Sequence, residues 1–336
     1  MKFTAKLVLL ITGLLLLTVP RLDLWAQSPT SQGRTSTGNP VEKVKMTMAA
    51  KSFSTLPWYF GQAKGIFRKE GVELELIVMR TPIAIAALTQ GEAEYTSAAG
   101  GGMRAAIRGA PLRAVMFVQT RLSFSLVGQP GMNPKKIKTV GISGFGSSAH
   151  YAAIAVMRKL GRGTPGDEIT YITTNSTAQS YATLMAKAID AAILTPPYTS
   201  MATVARHVEL GDAFDIRDIQ GGLMTRTRHI SEQRDQVKAV IRGALRSMDY
   251  ISRREDEFME YVQKEFNIDR RVAAPSYAIL KRVLTMDGDI DEPVLNSLLD
   301  NMKKDVKVTE DIPLDRVVDF GPLREVLVEI NIKKTR

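Results

Sequence analysis

The 336-residue chain contains no cysteine, and this absence excludes several kinds of chemistry at once. Without cysteine there is no disulfide, no thiolate metal ligand, no cysteine nucleophile and no lipid anchor on a cysteine. Histidine is also scarce, because only His150, His207 and His229 are present, and no two of them have metal-ligand spacing. We therefore expect neither a metal site nor a cofactor.

The chain also lacks a block of basic residues interleaved with aromatic ones. The formal charge is +10, but Lys and Arg are mixed with Asp and Glu, as in the Arg-Arg-Glu-Asp-Glu run at 253–257. Nucleic-acid-binding surfaces concentrate basic residues on one face or stretch. Nucleic acid is therefore not an expected partner, whereas an anionic small molecule is compatible with the basic balance.

No hydrophobic run is long enough to span a membrane. The apolar stretch at 7–19 has about 13 residues, whereas a spanning helix needs about 20. Lys2 and Lys6 precede it and Ala26 ends a short segment after it, which is the pattern of a secretory signal peptide, residues 1–26. We expect cleavage after Ala26 and a periplasmic location, with an uncleaved anchor as the alternative. Residues 27–40, rich in Ser, Thr, Gly and Pro, are expected to form a flexible leader.

Alternating apolar residues indicate two strands joined by a helix near the start of the folded region. Residues 41–49 and 72–79 alternate in this way, and the segment between them contains Pro57 and ends at Gly71, which are helix start and stop signals. This β-α-β unit predicts a parallel pair with a right-handed crossover. The same succession of strand, loop and helix continues afterwards and recurs over 137–210, which predicts an α/β fold with helices on both faces of its sheets.

Several shorter segments complete this interpretation. A strand is predicted at 94–98 before glycines 100–102, and a short helix at 200–209. From Ser231 onward, the apolar residues keep helical spacing, which predicts core-facing helices. Two α/β halves and a helical tail predict a monomer with two lobes and a central cleft. The predicted boundaries are 41–125 for the first segment of lobe 1, 126–218 for lobe 2, and 219–336 for the return to lobe 1 and the C-terminal helices.

Four stretches resemble the NMT1/THI5-like family. They are the Trp-Tyr-Phe-Gly stretch at 58–76, the Ala-Leu-Thr-Gln-Gly stretch at 87–94, the glycine-serine loop at 141–148, and the segment 184–197 with its two prolines. Glu94 stands where the family pattern has Asp, and Lys187 near where it has Gly. The pyrimidine-synthase branch of the family is disfavoured, since it uses a cysteine-rich motif.

This resemblance implies the two-lobed type II periplasmic-binding fold. The family includes substrate-binding proteins of nitrate, sulfonate, taurine and thiamine-precursor ABC importers. The expected function is therefore capture of a small organic solute by hinge closure, with a membrane permease as the partner. A sulfonate, a carboxylate or an aromatic acid would suit the serines and main-chain amides, and the sequence leaves the choice among them open.

Ligands of open α/β sheets bind beyond the carboxyl ends of strands, where helices begin. The loop Ser143–Ser148 has this position, and its glycines allow the backbone to approach a ligand. Its serines either bind a ligand oxygen or only cap the following helix. The same loop is neither a dinucleotide fingerprint nor a P-loop, because its glycine spacing fits neither motif.

The predicted ligand-binding residues come from four such strand ends and their surroundings. The glycines after Ser97 leave room either for ligand or for close packing. Trp58, Phe53 and Phe145 are candidates for apolar walls, with a core position as the alternative for Trp58. The full predicted set is Ser52, Phe53, Ser54, Trp58, Ser97, Ala98, Gly100, Gln119, Gly144, Phe145, Ser147, Ser148, Pro196 and Tyr198.

Two other function classes fit the same fold. An enzyme would need a nucleophile–base pair in the cleft, and the nearest approach is Ser147 with His150, which lacks an orienting carboxylate. Arg104 and Arg121 could pair with an anion, but they are interpreted as surface charges. A ligand-sensing receptor domain would need a DNA-binding or transmembrane signalling segment. We expect a binding protein and no enzyme.

Overall fold

The computed structural model describes residues 41–164 and 166–331, so the predicted signal peptide and leader lie outside the described residues. Within these ranges, none of the helices combines the length and apolar character needed to cross a bilayer. The strands are β1 (Glu42–Met48), β2 (Val72–Val78), β3 (Tyr95–Thr96), β4 (Leu112–Arg121), β5 (Ser125–Gly128), β6 (Thr139–Ile142), β7 (Thr170–Thr173), β8 (Ala191–Leu194), β9 (Val208–Asp212) and β10 (Arg217–Arg226). The helices are α1 (Leu56–Ala63), α2 (Ile66–Lys69), α3 (Thr81–Gln90), α4 (Ala99–Ile107), α5 (Ser148–Lys159), α6 (Thr177–Met185), α7 (Tyr198–Val204), α8 (Thr227–Glu232), α9 (Arg234–Arg253), α10 (Glu255–Phe266), α11 (Arg270–Val283), α12 (Glu292–Asp305) and α13 (Gly321–Glu329).

These strands form two mixed sheets. The first sheet has the order β2-β1-β3-β10-β4, and the second has the order β7-β6-β8-β5-β9. In each sheet the second strand of this order, β1 or β6, pairs in parallel with both neighbours, while the remaining pairs are antiparallel. The chain leaves the first sheet after β4 and returns to it with β10. The predicted parallel β1–β2 pair is confirmed, with Val44 opposite Leu74.

The helices cover the sheets because their apolar residues recur at helical spacing. On α9, the residues Val237, Val240, Ile241, Leu245 and Met248 are all buried against the first sheet, as predicted. The core of the second sheet is smaller and contains alanines from α5, Ala152 and Ala153. A third apolar cluster joins α1 to α10 and α11. The C-terminal helices therefore complete the core of the first half.

The structure corrects three predicted segments and contains strands that were not predicted. The helix expected up to Gly71 is broken at Gly65, where φ is 66°, a left-handed conformation that glycine adopts without strain. The predicted helix at 200–209 is wrong in its second part, because α7 ends at Val204 and 208–212 forms β9. Strand β3 is only two residues long, and glycines 100–102 belong to α4. Strands β5 and β10 were not predicted.

Candidate functional site

A cavity of about 70 Å³ lies where strand ends of both sheets face one another. The first half contributes Ser52, Ser54 and Thr55 from one turn, together with Thr81, Ser97, Ala98 and Gly101. The second half contributes Ser143, Ser147, Ser148, Ala149, Thr177, Ile193 and Thr195. Phe124 lines it from the segment between β4 and β5, and Gln220 and Gly221 line it from β10.

Five helix N-termini of the described chain meet at this cavity, those of α1, α3, α4, α5 and α6. The first N–H groups of a helix have no partner inside it, and the helix dipole places partial positive charge there. No Asp, Glu, Lys, Arg or His of the described residues lines the cavity. The cavity therefore attracts negative charge through main-chain dipoles and hydroxyl groups.

The N-terminus of α5 is already capped by its own loop. The Ser147 hydroxyl accepts a hydrogen bond from the His150 backbone N–H at 3.3 Å and donates to the Gly144 carbonyl at 2.7 Å. The Ser143 hydroxyl lies 3.2 Å from it. The predicted N-cap is thus present, and the Ser147 side chain has little hydrogen-bonding capacity left for a ligand.

The N-terminus of α4 has a different construction. Its N-cap is Ala98, which has no side chain able to cap it, and the three glycines follow directly. A Cβ atom on Gly100 would lie 2.1 Å from the Ile219 carbonyl oxygen, and one on Gly101 would lie 2.3 Å from Cγ2 of Thr81. These two glycines therefore permit close packing, which was one of the two alternatives left open by the sequence.

Thr195 is a cavity residue that the predicted set does not contain. It is buried, lines the cavity directly after β8, and its hydroxyl makes no hydrogen bond with the protein. Its backbone N–H donates to the Thr177 hydroxyl at 3.2 Å, which orients the Thr177 side chain. A buried hydroxyl without a partner is costly unless water or a ligand satisfies it. The sequence signal was a polar residue directly after a buried strand.

The structure brings six of the predicted residues to the cavity and leaves eight away from its wall. The six are Ser52, Ser54, Ser97, Ala98, Ser147 and Ser148. The residues outside the lining are Phe53, Trp58, Gly100, Gln119, Gly144, Phe145, Pro196 and Tyr198. Lining residues outside the predicted set include Thr81, Thr177 and Gln220 as well as Thr195, and of these only Thr195 had a sequence signal.

The aromatic residues proposed as walls do not line the cavity. Trp58 is buried against Phe67, with ring centroids 6.1 Å apart, so the alternative of a core position is the one observed. Phe53 packs on Phe258 at 6.2 Å. Phe145 is 57% exposed. Phe124 and Ile193 supply the apolar wall instead.

Tyr198 and Pro196 lie beside the cavity and contact residues of the other half. The Pro196 carbonyl accepts a hydrogen bond from the Phe53 N–H at 2.9 Å, and the Tyr198 hydroxyl lies 3.5 Å from the Lys51 carbonyl oxygen. The Tyr198 ring packs near Tyr181 and Phe266. Burial raises the pKa of Tyr198, so its hydroxyl stays protonated.

His150 does not form a catalytic pair with Ser147. The Ser147 hydroxyl bonds to the backbone of His150, whereas the ring atom Nδ1 accepts from the Gly146 N–H at 3.3 Å. The ring packs between Phe145 and Tyr171 and does not line the cavity. Burial lowers the pKa of His150, which favours the neutral imidazole.

Arg104 is buried, not a surface charge as the sequence suggested. Its guanidinium lies 2.9 Å from Asp218 and 2.6 Å from Asp305, donates to the Gly100 carbonyl at 3.2 Å, and stacks 4.0 Å from the centre of the Tyr151 ring. Burial raises the pKa of Asp218 in spite of this cation. Two carboxylates neutralise Arg104, so it anchors α4 and is not available to a ligand.

A family model described as NMT1/THI5 like matches residues 52–257. No curated protein matches the sequence. Among solved structures, the ligand-binding component of an ABC-type import system from Staphylococcus aureus, with zinc bound, has a TM-score of 0.67 and 17% identity, over 85% of this chain and 99% of that chain.

Two further solved structures bear on the range of functions. The alkanesulfonate-binding protein SsuA from Xanthomonas axonopodis pv. citri, bound to MOPS, has a TM-score of 0.66 and 14% identity, over 84% of this chain and 97% of that chain. The enzyme DszB in complex with biphenyl-2-sulfinic acid has a TM-score of 0.62 and 11% identity, over 86% and 99%. At such identities the likeness establishes the fold, and the predicted two-lobed periplasmic-binding fold is confirmed.

Proposed function

Because this chain belongs to the NMT1/THI5-like family, we propose that it is the extracytoplasmic solute-binding protein of an ABC importer. It captures a small organic anion, such as a sulfonate, a carboxylate or an aromatic acid, and passes it to a membrane permease. The solved structures of an import-system binding component and of an alkanesulfonate-binding protein support this proposal.

The convergence of helix N-termini on an uncharged cavity carries the proposal. An anion held there receives N–H donors from several helices, and each favourable dipole contributes about 0.3–2 kcal/mol. No described lining residue is a base or a charged nucleophile, so the cavity is equipped to hold an anion and not to transform it. The small volume of about 70 Å³ suits a compact acid.

Lobe closure is the proposed binding movement. Residues 41–125 and 219–336 form one lobe and 126–218 the other, and the chain segments between the sheets act as the hinge. Because both sheets contribute lining residues, a ligand that touches both stabilises the closed form. Export by the signal peptide at 1–26 places the mature chain where an importer collects its solute.

A thermal-shift titration tests the binding role. We expect alkanesulfonates, carboxylates or aromatic acids to raise the melting temperature by mass action, and their neutral amides to leave it unchanged. Loss of the hydroxyls in Ser97→Ala and Thr195→Val should weaken binding about tenfold, since hydrogen bonds to charged groups are strong. Equal shifts from neutral analogues would contradict anion capture.

Thr199→Val is the matched control for Thr195→Val. Thr199 is also a buried threonine whose hydroxyl makes no hydrogen bond with the protein, but it does not line the cavity. Its variant should bind like the wild type. If the two variants weaken binding equally, the cavity is not the ligand site.

Catalysis is the second candidate, because the enzyme DszB shares the fold. The absence of a Ser147–His150 side-chain bond disfavours it. Purified protein incubated with each stabilising anion should leave that anion unchanged by NMR. Appearance of a product that is lost in Ser147→Ala would favour the enzyme.

A further inference from the structure

Gln119 is a buried primary amide without a partner. It lies on β4, it is 0% exposed, and neither its amide oxygen nor its amide nitrogen makes a hydrogen bond with the protein. A buried polar group in this state requires a partner from outside the protein chain, either water or a ligand. Neighbouring Gln220, in contrast, is satisfied by the backbone N–H and hydroxyl of Ser123.

Only a glycine separates Gln119 from the cavity in the described structure. Gly221 is the partner of Gln119 in the β4–β10 ladder and lines the cavity. A Cβ atom on Gly221 would lie 3.7 Å from the Gln119 amide oxygen. The ladder is irregular on both sides of Gly221, as is common where a sheet borders a binding site. The missing side chain thus leaves the amide next to the cavity wall.

We propose that Gln119 is a specificity-determining residue that hydrogen-bonds a second, uncharged polar group of the bound anion. The proposal rests on the proposed function, since the helix N-termini must hold the acidic end of the same ligand. A small rotation of the amide brings it past Gly221 to a hydroxyl or carbonyl group in the cavity. The preferred ligand class is a small hydroxy acid or its amide or keto equivalent.

The absence of lining carboxylates separates this class from amino acids and aminosulfonates. An ammonium group in the cavity would meet neutral hydroxyls and an amide, with no described Asp or Glu in the wall to neutralise it. Burial of a charge without a counter-charge is strongly unfavourable. A hydroxyl group, in contrast, both donates to and accepts from a primary amide.

The test compares three acids of similar size in two series. These are 2-hydroxyethanesulfonate, ethanesulfonate and 2-aminoethanesulfonate, with lactate, propionate and alanine as the carboxylate series. In calorimetric titrations the wild type should bind the hydroxy acid about fivefold more tightly than the unsubstituted acid, which corresponds to one net hydrogen bond. The amino compound should bind weakest of the three.

Two variants should abolish this preference by different routes. Gln119→Met removes the amide, and Gly221→Ala inserts a methyl group between the amide and the ligand. The new methyl group meets no atom closer than 3.7 Å, so the fold tolerates it. In both variants the ratio of the two affinities should fall to about one, while the unsubstituted acid still binds.

Gln236→Met is the matched control. Gln236 is a buried glutamine of the same half, bonded to Tyr95 and Glu42 and remote from the cavity lining. Its variant should lose stability and keep the fivefold preference. An unchanged preference in Gln119→Met and Gly221→Ala, or a wild type that favours the unsubstituted or amino acid, overturns the role of Gln119 and leaves anion capture intact. Failure of every acid to bind overturns the proposed function, and this proposal with it.

Discussion

The helices α4 and α5 both begin at the cavity, one from each sheet, but their N-termini are held in place by different interactions. α5 is held by a serine cap within its own loop, whereas α4 has no side-chain cap and is held by the buried ion pairs of Arg104. A side-chain cap that satisfies the helix start leaves little for a ligand. At the start of α4 the Ala98 and Ala99 N–H groups bond to the Thr96 hydroxyl and the Ser97 carbonyl, so the donors left for a ligand are those of the glycines that follow. The glycine-rich start is therefore the better candidate for ligand contact, although the serine-rich start looks more informative in the sequence.

Arg104→Met should break the anchoring of α4 and give the largest effect. It leaves the Asp218 carboxylate buried without its cation, which costs about 3–5 kcal/mol. Urea denaturation would measure the fall in the free energy of unfolding. The control is Arg228→Met, since the Arg228–Glu232 pair is exposed and should matter by less than about 0.5 kcal/mol. Equal effects would mean that the buried pairs do not anchor α4.

Gly100→Ala should disturb the close approach of α4 to β10. The added methyl group meets a backbone oxygen at 2.1 Å, and backbone cannot yield cheaply, so we expect a loss of about 1–3 kcal/mol. Gly144→Ala, in the loop before α5, is the matched change, because its nearest neighbour would be 3.8 Å away. That variant should stay within about 0.5 kcal/mol of the wild type. A stability change of the same size in both would refute the packing argument.

Ser147→Ala and Ser97→Ala compare the starts of α5 and α4 in stability and in ligand affinity. Loss of the Ser147 cap should lower the free energy of unfolding by about 1 kcal/mol and change ligand affinity little. Loss of Ser97 should do the reverse, with a stability change below about 0.5 kcal/mol and weaker ligand binding. Denaturation and titration of both variants would check this. If Ser147→Ala weakened ligand binding and Ser97→Ala weakened only stability, the ligand would bind the Ser147 side chain before α5 and not the Ser97 side chain before α4.

His150 gives the smallest effect, and it depends on pH. Burial lowers the pKa of His150 below its usual 6.5, so the unfolded chain binds a proton more readily than the folded one. The free energy of unfolding should therefore fall as the pH drops below about 6.5, until the pH passes the folded pKa. His150→Gln should make this slope shallower. An identical pH profile in the variant would mean that the imidazole is equally solvated in both states.

Much of the fold follows from periodicity, and the exceptions have physical causes. Strands β1 and β2 have clear alternation, and the C-terminal helices have clear helical spacing, so both were predictable. Strand β10 contains Gly221 and Gly222 in an irregular ladder, which weakens the pattern. Gly65 separates α1 from α2, and only the local backbone conformation decides such a break.

The candidate site was predictable where it depends on strand ends. Ser52, Ser97 and Ser147 follow strands, and the structure places them in the cavity wall. Phe53 and Trp58 stand beside such residues in the chain, but the sequence does not show which way they point, and both enter a core. The carboxylates that neutralise Arg104 come from positions 218 and 305, far away in the chain, so from the sequence alone Arg104 was interpreted as a surface charge.

The position of β10 in the first sheet has a consequence for folding. This strand lies between β3 and β4, yet it is synthesised after every strand of the second sheet. The first sheet therefore cannot be completed before residue 226 has left the ribosome, and contacts between such distant segments form slowly. The proposed export would benefit from this delay, because a chain is threaded through a translocation channel before it folds.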